Sequence, residues 1–467
     1  MLEGLEIKEV KLNKIINTNL IRLEPEFYTA KSFDLDSPFS GEEIIDFVQY
    51  GTSKELNEEF KGYPVLRLNE FKSCFISKPS KYCNKINQNT YDSLRLLKND
   101  VLICRTNGNY KYVGKSAIVP KDYNYAYASY LFKIRPKNHL INASTLVTYL
   151  NSKYGRIEIE KYSMAGNQVN FSPAKFRQLR IPKFIKEFNV IIEKLTYKSF
   201  EHLQESDISY IEADEVLSKE IGLLNFKPSN SPINIKSFSE SLGMSKRLDA
   251  EYYQPKYDDY LKLIFNYHNG FDSISDSCNL KGSNYNPIDE KKYNYIELSN
   301  IDKSGDISGC TIDLGNKLPS RARRLVNKGD LIISSIEGSL DSCALVTENY
   351  NNSLCSTGFY VINSSKINSE TLLVLFKSEL MQNILKQNCS GTILTAINKD
   401  EFLNIPIPQI QLNIQQQISE LIESSFSNKR KSEYLLNVTK KAVEMAIEQN
   451  EQIALKYINE KISDYAS

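Results

Sequence analysis

An internal repeat constrains the fold of this chain more than any other feature of its sequence. Residues 247–253 read RLDAEYY, and residues 22–28 read RLEPEFY about 225 positions earlier. Further matched segments follow in the same order: 63–71 with 293–301, 96–109 with 325–339, and 165–182 with 390–408. Because the offset stays between about 224 and 230 while identities are sparse, the sequence predicts a tandem duplication of a unit of about 180 residues plus a tail.

Each copy combines short strands with amphipathic helices. Apolar runs bounded by turn residues predict three strands per copy. In the order first copy, second copy, these runs are DVLICR and DLIISS, SAIVP and CALVT, and YLFKIRP and GFYVINS. Residues 142–162 and 368–388 follow with helical spacing and begin with Asn and Ser, which favour helix starts. Each copy closes on Ile-Pro, so the sequence predicts an α+β protein with two tandem mixed α/β globules.

A long helical stretch follows each Ile-Pro. Apolar residues recur at three-four spacing in both stretches: Phe188, Ile192, Leu195, Leu203, Tyr210, Leu217, Ile221 and Leu224 in the first, and Ile414, Ile418, Leu421, Leu435, Ala442 and Met445 in the second, from about Leu412 to Ile458. At ~1.5 Å per residue each helix is roughly 60–75 Å long. A narrow apolar stripe of this length requires a partner helix, so we predict that the two helices pair as an antiparallel coiled coil. A lone solvated helix is the alternative.

These features divide the chain into five segments. We predict a first globule at 1–184, a first long helix at 185–226, a linker at 227–244, a second globule at 245–410, and a second long helix with the C-terminus at 411–467. Two similar globules joined in this way suit a target that presents two sites at a fixed separation.

Positive charge is concentrated in the first globule. The whole chain has a formal net charge of +1, but residues 72–183 contain 20 Lys and Arg against 5 Asp and Glu. A surface with so few acidic residues is the natural counterpart of a phosphate backbone, whereas a solubilising surface mixes both signs. Residues 301–410 contain 10 Lys and Arg against 11 Asp and Glu, so the second globule relies less on bulk charge.

The sequence lacks the motifs of several enzyme and metal-site classes. It contains no G-x-G-x-x-G or G-x-x-x-x-G-K-[ST] phosphate loop and no Asp/Asn-Pro-Pro-aromatic methyltransferase motif. The eight cysteines form no CxxC pair and there are three histidines, so a zinc site is not expected. The N-terminus does not read as a signal peptide, and no apolar run reaches the ~18–20 residues of a membrane span. We expect a cytoplasmic, non-catalytic recognition protein.

Three motifs, in order and in two copies, resemble one known family. They are RLDAEYYQPKYD at 247–258, the GDLIIS and EGS run at 329–339, and SGTILTAINKDEFLNIPIP at 390–408. With them the chain resembles the specificity subunit of type I restriction-modification systems over nearly its whole length. The first copy departs from the pattern, because Asn99-Asp100 stands in place of Gly-Asp.

The resemblance implies a function in DNA recognition. The two globules would be target recognition domains, each reading one half of a bipartite site in double-stranded DNA, and the paired helices would set the gap between the halves. Two methyltransferase subunits would dock on the helices and methylate adenine with S-adenosylmethionine, and restriction subunits would bring ATP and Mg. The chain itself would hold no cofactor and contact no membrane.

Base-edge contacts are expected on loops held by the sheets, since loops vary without breaking the core, and Arg, Asn and Gln make bidentate contacts with bases. The candidates in the first domain are Arg105, Thr106, Asn107, Asn109, Tyr110, Lys111, Gln168 and Asn170. Those in the second are Arg321, Arg323, Arg324, Ser335, Glu337, Ser339, Thr395 and Asn398. Because the two loops differ in chemistry, the DNA site is predicted to be asymmetric.

Two other functions stay open at this point. One is the recognition portion of a single-chain restriction-methylation enzyme, which would methylate DNA without partners. The other is a coiled-coil scaffold that does not bind DNA at all.

Overall fold

The computed structural model of the protein describes residues 9–12, 25–163, 169–243, 247–391 and 395–466. The chain forms two compact units. Unit 1 comprises residues 1–203 and 430–467, and unit 2 comprises residues 204–429. Both units are mixed α/β and each takes a part of both long helices, so the predicted α+β class with two sheet-rich regions and long helices is confirmed.

Unit 1 contains eleven described strands and six short helices. The strands are β1 (Phe39–Ser40), β2 (Ile45–Tyr50), β3 (Tyr63–Leu66), β4 (Phe71–Lys72), β5 (Phe75–Ile76), β6 (Lys81–Cys83), β7 (Val101–Cys104), β8 (Ser116–Ile118), β9 (Ala126–Tyr127), β10 (Leu131–Pro136) and β11 (Arg180–Ile181). The short helices are Pro25–Thr29, Gly41–Ile44, Gln88–Leu94, Ala143–Asn151, Lys153–Ser163 and Pro173–Phe176.

Unit 2 contains twelve described strands and five short helices. The strands are β12 (Phe271–Ser273), β13 (Asn279–Leu280), β14 (Lys292–Ile296), β15 (Thr311–Leu314), β16 (Ala322–Val326), β17 (Leu331–Ser334), β18 (Cys343–Leu345), β19 (Ser353–Ser356), β20 (Phe359–Asn363), β21 (Cys389–Ser390), β22 (Ala396–Ile397) and β23 (Pro406–Pro408). The short helices are Pro255–Phe265, Ile274–Ser277, Ser369–Lys377, Glu379–Gln387 and Lys399–Leu403.

The sheets of the two units follow the same plan. In unit 1 the order β2-β10-β7-β8-β5-β4 forms one sheet, and β6-β3-β9 forms another in which β3 and β9 run parallel. In unit 2 the order β13-β20-β17-β18 forms one sheet, and β15-β14-β19-β16 forms another in which β14 and β19 run parallel. The antiparallel core β10-β7-β8 therefore corresponds to β20-β17-β18, as the sequence repeat requires.

The two predicted amphipathic helices are each broken by a serine. Ser152 and Ser378 adopt extended backbone angles, with ψ of 166° and 152°, so a single helix over 142–162 or 368–388 is wrong. The Ser152 hydroxyl donates to the Tyr149 carbonyl at 2.7 Å, and the Ser378 hydroxyl donates to the Leu375 carbonyl at 2.6 Å. Serine competes for main-chain hydrogen bonds in this way, and it therefore ends one helix and starts the next.

The long helices are shorter than the sequence predicts. The first spans Lys186–Glu220 and is followed by Gly222, whose φ of +79° is left-handed and ends the helix. Leu224 lies beyond this end and is 57% exposed. The second spans Leu412–Glu448, and a separate helix, Glu451–Ala466, follows after a break.

Within each unit the long helices run antiparallel. In unit 1, Ser199 contacts Ser432 with the two hydroxyl oxygens 2.8 Å apart, while the Ile185 N–H donates to Glu451 at 3.0 Å. Phe188, Ile192, Leu195, Leu435 and Ala442 are buried in the core of this unit.

In unit 2, the hydroxyls of Ser206 and Ser425 are 3.2 Å apart, and those of Ser209 and Ser424 are 3.3 Å apart. The residue number falls on one helix as it rises on the other, so the pairing is antiparallel here as well. Buried apolar residues from both helices join the core of unit 2: Ala213, Leu217, Ile418, Ile422 and Phe426, with Ile221 just beyond the end of the first helix.

Candidate nucleic-acid interface

The first candidate loop leaves the end of β7 and is fixed by main-chain hydrogen bonds. The Arg105 N–H donates to the Tyr130 carbonyl at 2.7 Å, and the Arg105 carbonyl accepts from the Phe171 N–H at 2.8 Å. Thr106 and Asn170 form an antiparallel bridge. The structure therefore brings Arg105, Thr106 and Asn170 together, although Asn170 is distant in sequence.

The second candidate loop leaves β17 with the same hydrogen bonds. The Ser335 N–H donates to the Gly358 carbonyl at 3.0 Å, and the Ser335 carbonyl accepts from the Ile397 N–H at 2.9 Å. Ile336 and Ala396 form the corresponding bridge. Arg105 and Ser335 thus hold equivalent places in the two units, and so do Tyr130 and Gly358.

A buried aspartate fixes the start of each of these strands. Asp100 accepts the Leu97 N–H at 2.9 Å, and Asp330 accepts the Asn327 N–H at 2.7 Å. The preceding residue is left-handed in both units, with φ of +69° at Asn99 and +85° at Gly329. Asn tolerates this conformation better than other non-glycine residues, which explains why Asn-Asp replaces Gly-Asp in the first copy.

Part of the positive charge counted in the first domain neutralises the buried carboxylate of Asp100. Arg135 contacts Asp100 at 2.8 Å, and the Lys133 ammonium, only 2% exposed, lies 3.7 Å from it. Other basic side chains between residues 72 and 183 are also ion-paired: Lys81, Lys85, Lys153, Arg177 and Arg180. Lys133, Arg135 and Arg180 neutralise carboxylates that are fully buried, and the other four form ion pairs at the surface, so fewer cations than the sequence count are without a carboxylate partner.

A charge difference between the units nevertheless persists. Unit 1 contains 37 Lys and Arg against 28 Asp and Glu, a net charge of +9. Unit 2 contains 21 against 29, a net charge of −8. A contribution of bulk charge to phosphate binding is therefore available in unit 1 but not in unit 2.

The tip of the first loop is exposed and held by asparagine side chains. The Asn107 side-chain oxygen accepts the Asn109 N–H at 2.8 Å, and the Asn109 side-chain oxygen accepts the Lys111 N–H at 3.1 Å. Asn107, Asn109 and Lys111 are exposed, and Tyr110 is 56% exposed. The amide oxygens thus shape the turn, while the amide nitrogens make no hydrogen bond with a described residue.

The base of the first loop contains polar atoms without partners. The Arg105 guanidinium lies over the Tyr50 ring, 5.3 Å from its centroid, and its Nε is buried without a hydrogen bond among the described residues. The Asn170 side-chain oxygen is likewise buried and unpaired within the described part of the chain. Gln168, the remaining candidate here, lies outside the described residues. Sequence reasoning missed Tyr50, since nothing in the linear sequence links it to Arg105.

In unit 2 two of the three candidate arginines are engaged within the fold. Arg323 donates to the Ser320 carbonyl at 3.0 Å and to Asn286 at 2.6 Å. Arg324 donates to the Gly282 carbonyl. Arg321 is exposed, and its guanidinium makes no hydrogen bond or ion pair with any described residue, so it is the one best placed to meet a ligand.

The other candidates of unit 2 lie together but mostly support the loop. Ser335 donates its hydroxyl to the Gly358 carbonyl at 2.9 Å, and Ser339 contacts the Ser334 hydroxyl at 2.8 Å. The Glu337 N–H donates to the Thr395 carbonyl at 3.0 Å.

Asn398 caps the helix Lys399–Leu403 together with Glu401. Its amide nitrogen donates to the Ser390 hydroxyl at 3.3 Å. Asn398 therefore serves the local fold, and the loop of unit 2 exposes fewer unpaired polar groups than that of unit 1.

The structure limits other kinds of site. Over residues 9–12, 25–163, 169–243, 247–391 and 395–466, no group of His, Cys, Asp and Glu side chains could hold a metal ion. No helix in that part of the chain is long and apolar enough to cross a membrane. All eight cysteines are free thiols, and burial raises the pKa of Cys104, next to the first loop, to about 11.

Thirteen chains of solved structures are similar to this one, among them the following three. The type I restriction-modification system S subunit from M. genitalium matches with a TM-score of 0.41 and 13% identity, covering 91% of this chain and 97% of that one. A chain from a study of complex assembly and conformational transition of the type I R-M system matches with a TM-score of 0.30 and 12% identity, covering 88% and 99%. The HsdS subunit from Thermoanaerobacter tengcongensis matches with a TM-score of 0.29 and 11% identity, covering 90% and 100%.

A sequence family covers much of unit 2 and the start of the helix that follows. No curated protein matches the chain. Residues 273–436 match the family described as the Type I restriction modification DNA specificity domain. This match includes the second candidate loop and its supporting strands. This match confirms the resemblance predicted from the sequence: residues 273–436 are similar to the type I restriction-modification DNA specificity domain.

Proposed function

We propose that the chain is the DNA sequence-specificity subunit of a type I restriction-modification complex. Each unit reads one half of a bipartite, asymmetric site in double-stranded DNA. The observation that carries this proposal is the pair of equivalent loops. Arg105 and Ser335 are held by the same main-chain hydrogen bonds, while the side chains that follow them differ. One frame with two different sets of side chains is suited to reading two different base sequences.

The first loop supplies the donors and acceptors needed for base recognition. Arg105 and Asn170 carry buried polar atoms without partners in the described chain, and such atoms are uncommon unless a ligand or water satisfies them. The Asn107 amide, at the exposed tip, adds a donor suited to an adenine edge. In unit 2 the Arg321 guanidinium, which no described residue pairs, takes the corresponding role for a base edge such as that of guanine.

The chain directs chemistry that partner subunits perform. Two methyltransferase subunits carrying S-adenosylmethionine methylate adenine, and restriction subunits use ATP and Mg; none of these cofactors is bound by this chain, which acts in the cytoplasm. Exposed apolar side chains on the first long helix support a docking role for it: Val190 is 52% exposed, and Ile208 and Ile211 are each 55% exposed. Ile208 and Ile211 are three residues apart and therefore share one face.

The test measures which DNA motif the complex methylates in a host. The double variant Arg105→Ala, Asn107→Ala loses contacts worth about 1–3 kcal/mol each in base discrimination. We expect one half-site to become relaxed or lost, while the other half-site and the gap length stay unchanged. Methylome sequencing of cells that express the chain with its methyltransferase measures this directly.

Arg95→Ala is the matched control, because Arg95 is an exposed cation of unit 1 that lies outside the loop. It should leave both half-sites intact. A change in both halves of the motif, or in the gap, for the double variant would contradict the assignment of this loop. Methylation by the purified chain alone would favour a single-chain enzyme, and failure of the complex to bind any duplex would favour a scaffold.

A further inference from the structure

A cavity opens beside the second candidate loop, within unit 2. Its volume is about 280 Å³. Main-chain and side-chain atoms from β14, β17, β19 and β20 form its walls, and the residues that determine its chemistry are Tyr295, Glu297, Leu298, Arg321, Ile336 and Phe359. Gly358 also lines it. The cavity therefore adjoins Ser335 and the loop that we assign to DNA recognition.

Gly358 is the reason that this space is empty. Its equivalent in unit 1 is Tyr130, since both carbonyls accept the same hydrogen bond, from Arg105 N–H and from Ser335 N–H. Tyr130 is partly buried and packs against a hydrophobic core cluster of unit 1. Unit 2 lacks any side chain at this position and has a cavity instead.

The backbone at Gly358 does not require glycine. A Cβ atom built there would lie 3.6 Å from the Ser356 hydroxyl oxygen and 3.7 Å from Ile336 Cδ1, which are ordinary contacts. Its φ is outside the left-handed region. Glycine at this position therefore keeps space open and is not demanded by a turn.

The lining has the chemistry of a site for a flat heteroaromatic ring. Leu298, which is 39% exposed, and Ile336 supply apolar contact, while the rings of Tyr295 and Phe359, 1% and 2% exposed, are buried in the core clusters behind the lining. Arg321 offers donors that no described residue uses, and Glu297 offers acceptors. The carboxylate disfavours a phosphate group, while a ring with both donors and acceptors can pair with both charged residues. Ligand pockets usually start at about 300 Å³, so this volume suits one base and excludes a nucleoside triphosphate.

We propose that this cavity accepts a single nucleobase, swung out of the duplex that unit 2 contacts. Enzymes that act on DNA read extruded bases by such stacking and edge contacts, and the unstacking cost is lowest for an unpaired base. The proposal rests on the proposed function, because it takes the DNA to be bound at the adjacent loop. A free nucleoside has the same ring chemistry and is the other possible source.

The experiment uses 2-aminopurine, whose fluorescence rises when the base is unstacked and changes on burial. The full chain is titrated into a duplex that carries one bulged 2-aminopurine, into the fully paired duplex, and into free 2-aminopurine deoxyriboside. We expect a saturable signal with the bulged duplex and about 10-fold tighter binding than to the paired duplex. A saturable signal with the free nucleoside identifies that source as well.

Gly358→Phe fills the cavity and should remove both the signal and the preference for the bulge. Gly358→Ala adds only a Cβ atom, which has room at this position. It should weaken the fluorescence signal and the preference for the bulged duplex in the same direction as Gly358→Phe. It therefore controls for misfolding of the larger variant. Gly282→Phe is the control, because a Cβ at the exposed Gly282 meets no atom within 4 Å.

The outcomes separate the two proposals. Equal affinity of the wild-type chain for bulged and paired duplexes, with no fluorescence change, overturns the cavity proposal and leaves DNA binding intact. A signal that persists in Gly358→Phe overturns it too. If no duplex binds, the proposed function fails, but the free nucleoside still tests the cavity proposal. Saturable binding of the nucleoside that Gly358→Phe removes supports the cavity proposal. No binding of the nucleoside overturns the cavity proposal.

Discussion

Lys429 should be one of the most sensitive positions of unit 2. The side chain is only 12% exposed, and its ammonium lies 2.5 Å from Asp302 and 2.8 Å from Asp306. Asp302 also accepts the Asp306 N–H at 3.0 Å. The ion cluster therefore ties the second long helix to a tight loop of unit 2.

Lys429→Met removes the ammonium and keeps most of the side-chain volume. Two carboxylates are then left close together without a counter-charge, and breaking a buried pair costs about 3–5 kcal/mol. Since Asp302 is 29% exposed, water offsets part of this, and we expect a loss of about 3 kcal/mol in the free energy of unfolding. For a unit of this size the melting temperature should fall by roughly 6–12 °C.

The pH dependence follows from the directions of the pKa shifts. Burial on its own raises the pKa of Asp302, but Lys429 and the hydrogen bonds lower it by more, so that it lies below 3.8. Burial on its own lowers the pKa of Lys429, but the two aspartates raise it above 10.5. The stabilisation is present above about pH 4 and is lost as the pH falls through the folded pKa of Asp302. It is also present below the ordinary lysine pKa and is lost as the pH rises through the folded value.

Calorimetry or thermal denaturation of the full chain between about pH 3 and pH 9 measures the difference between wild type and Lys429→Met. The difference should be constant from about pH 5 to 9 and should shrink below about pH 4. Lys328→Met is the control, because the Lys328–Glu348 pair is 67% and 68% exposed and such pairs contribute about 0–1 kcal/mol. Equal shifts for Lys429→Met and Lys328→Met would refute the reasoning.

Two other substitutions test close contacts in the fold. Gly305→Ala should destabilise unit 2 by roughly 2–4 kcal/mol, because the φ of Gly305 is +78° and a Cβ there would lie 2.4 Å from Leu373 Cδ1; chemical denaturation checks this, and an unchanged midpoint would contradict it. Ser199→Ala alone should cost about 1–3 kcal/mol by leaving the buried Ser432 hydroxyl less satisfied, whereas Ser199→Ala with Ser432→Ala should be nearly neutral. A double-mutant cycle measures the difference, and additive losses would argue against this hydrogen bond.

Local patterns were enough to predict the sheet cores. The runs that became β7, β8 and β10, and their counterparts in unit 2, are short, apolar and bounded by turn residues, so periodicity and turn chemistry agree there. The break at Ser152 was not predictable in the same way. The apolar spacing continues through it, and the serine ends the helix by a hydrogen bond to Tyr149 that only the folded backbone reveals.

The count of Lys and Arg in the sequence overestimated the cations of the first globule that are available to DNA. Lys133 and Arg135 increased the count of cations available for DNA, yet both are paired with the buried Asp100. A sequence count cannot separate surface cations from those that neutralise a buried carboxylate. The cavity, in contrast, left a signal in the repeat: YLFKIRP begins with Tyr130 and GFYVINS begins with Gly358, and the loss of a large side chain at a matched position marks the place where space opens.

The frame of each candidate loop includes main-chain hydrogen bonds, and the proposed function requires such a frame if one duplicated unit is to carry two different sets of reading side chains. The main-chain bonds at Arg105 and Ser335 join N–H and carbonyl groups and do not depend on side-chain identity, although the side chains of Asn107, Asn109 and Ser335 also support the loops. Unit 1 combines a net charge of +9 with exposed amides at the loop tip. Unit 2, with a net charge of −8, cannot attract phosphates by bulk charge. Under the proposed function, unit 2 contributes through a few placed groups, and Arg321, whose guanidinium makes no hydrogen bond or ion pair with a described residue, is the candidate beside the Gly358 cavity.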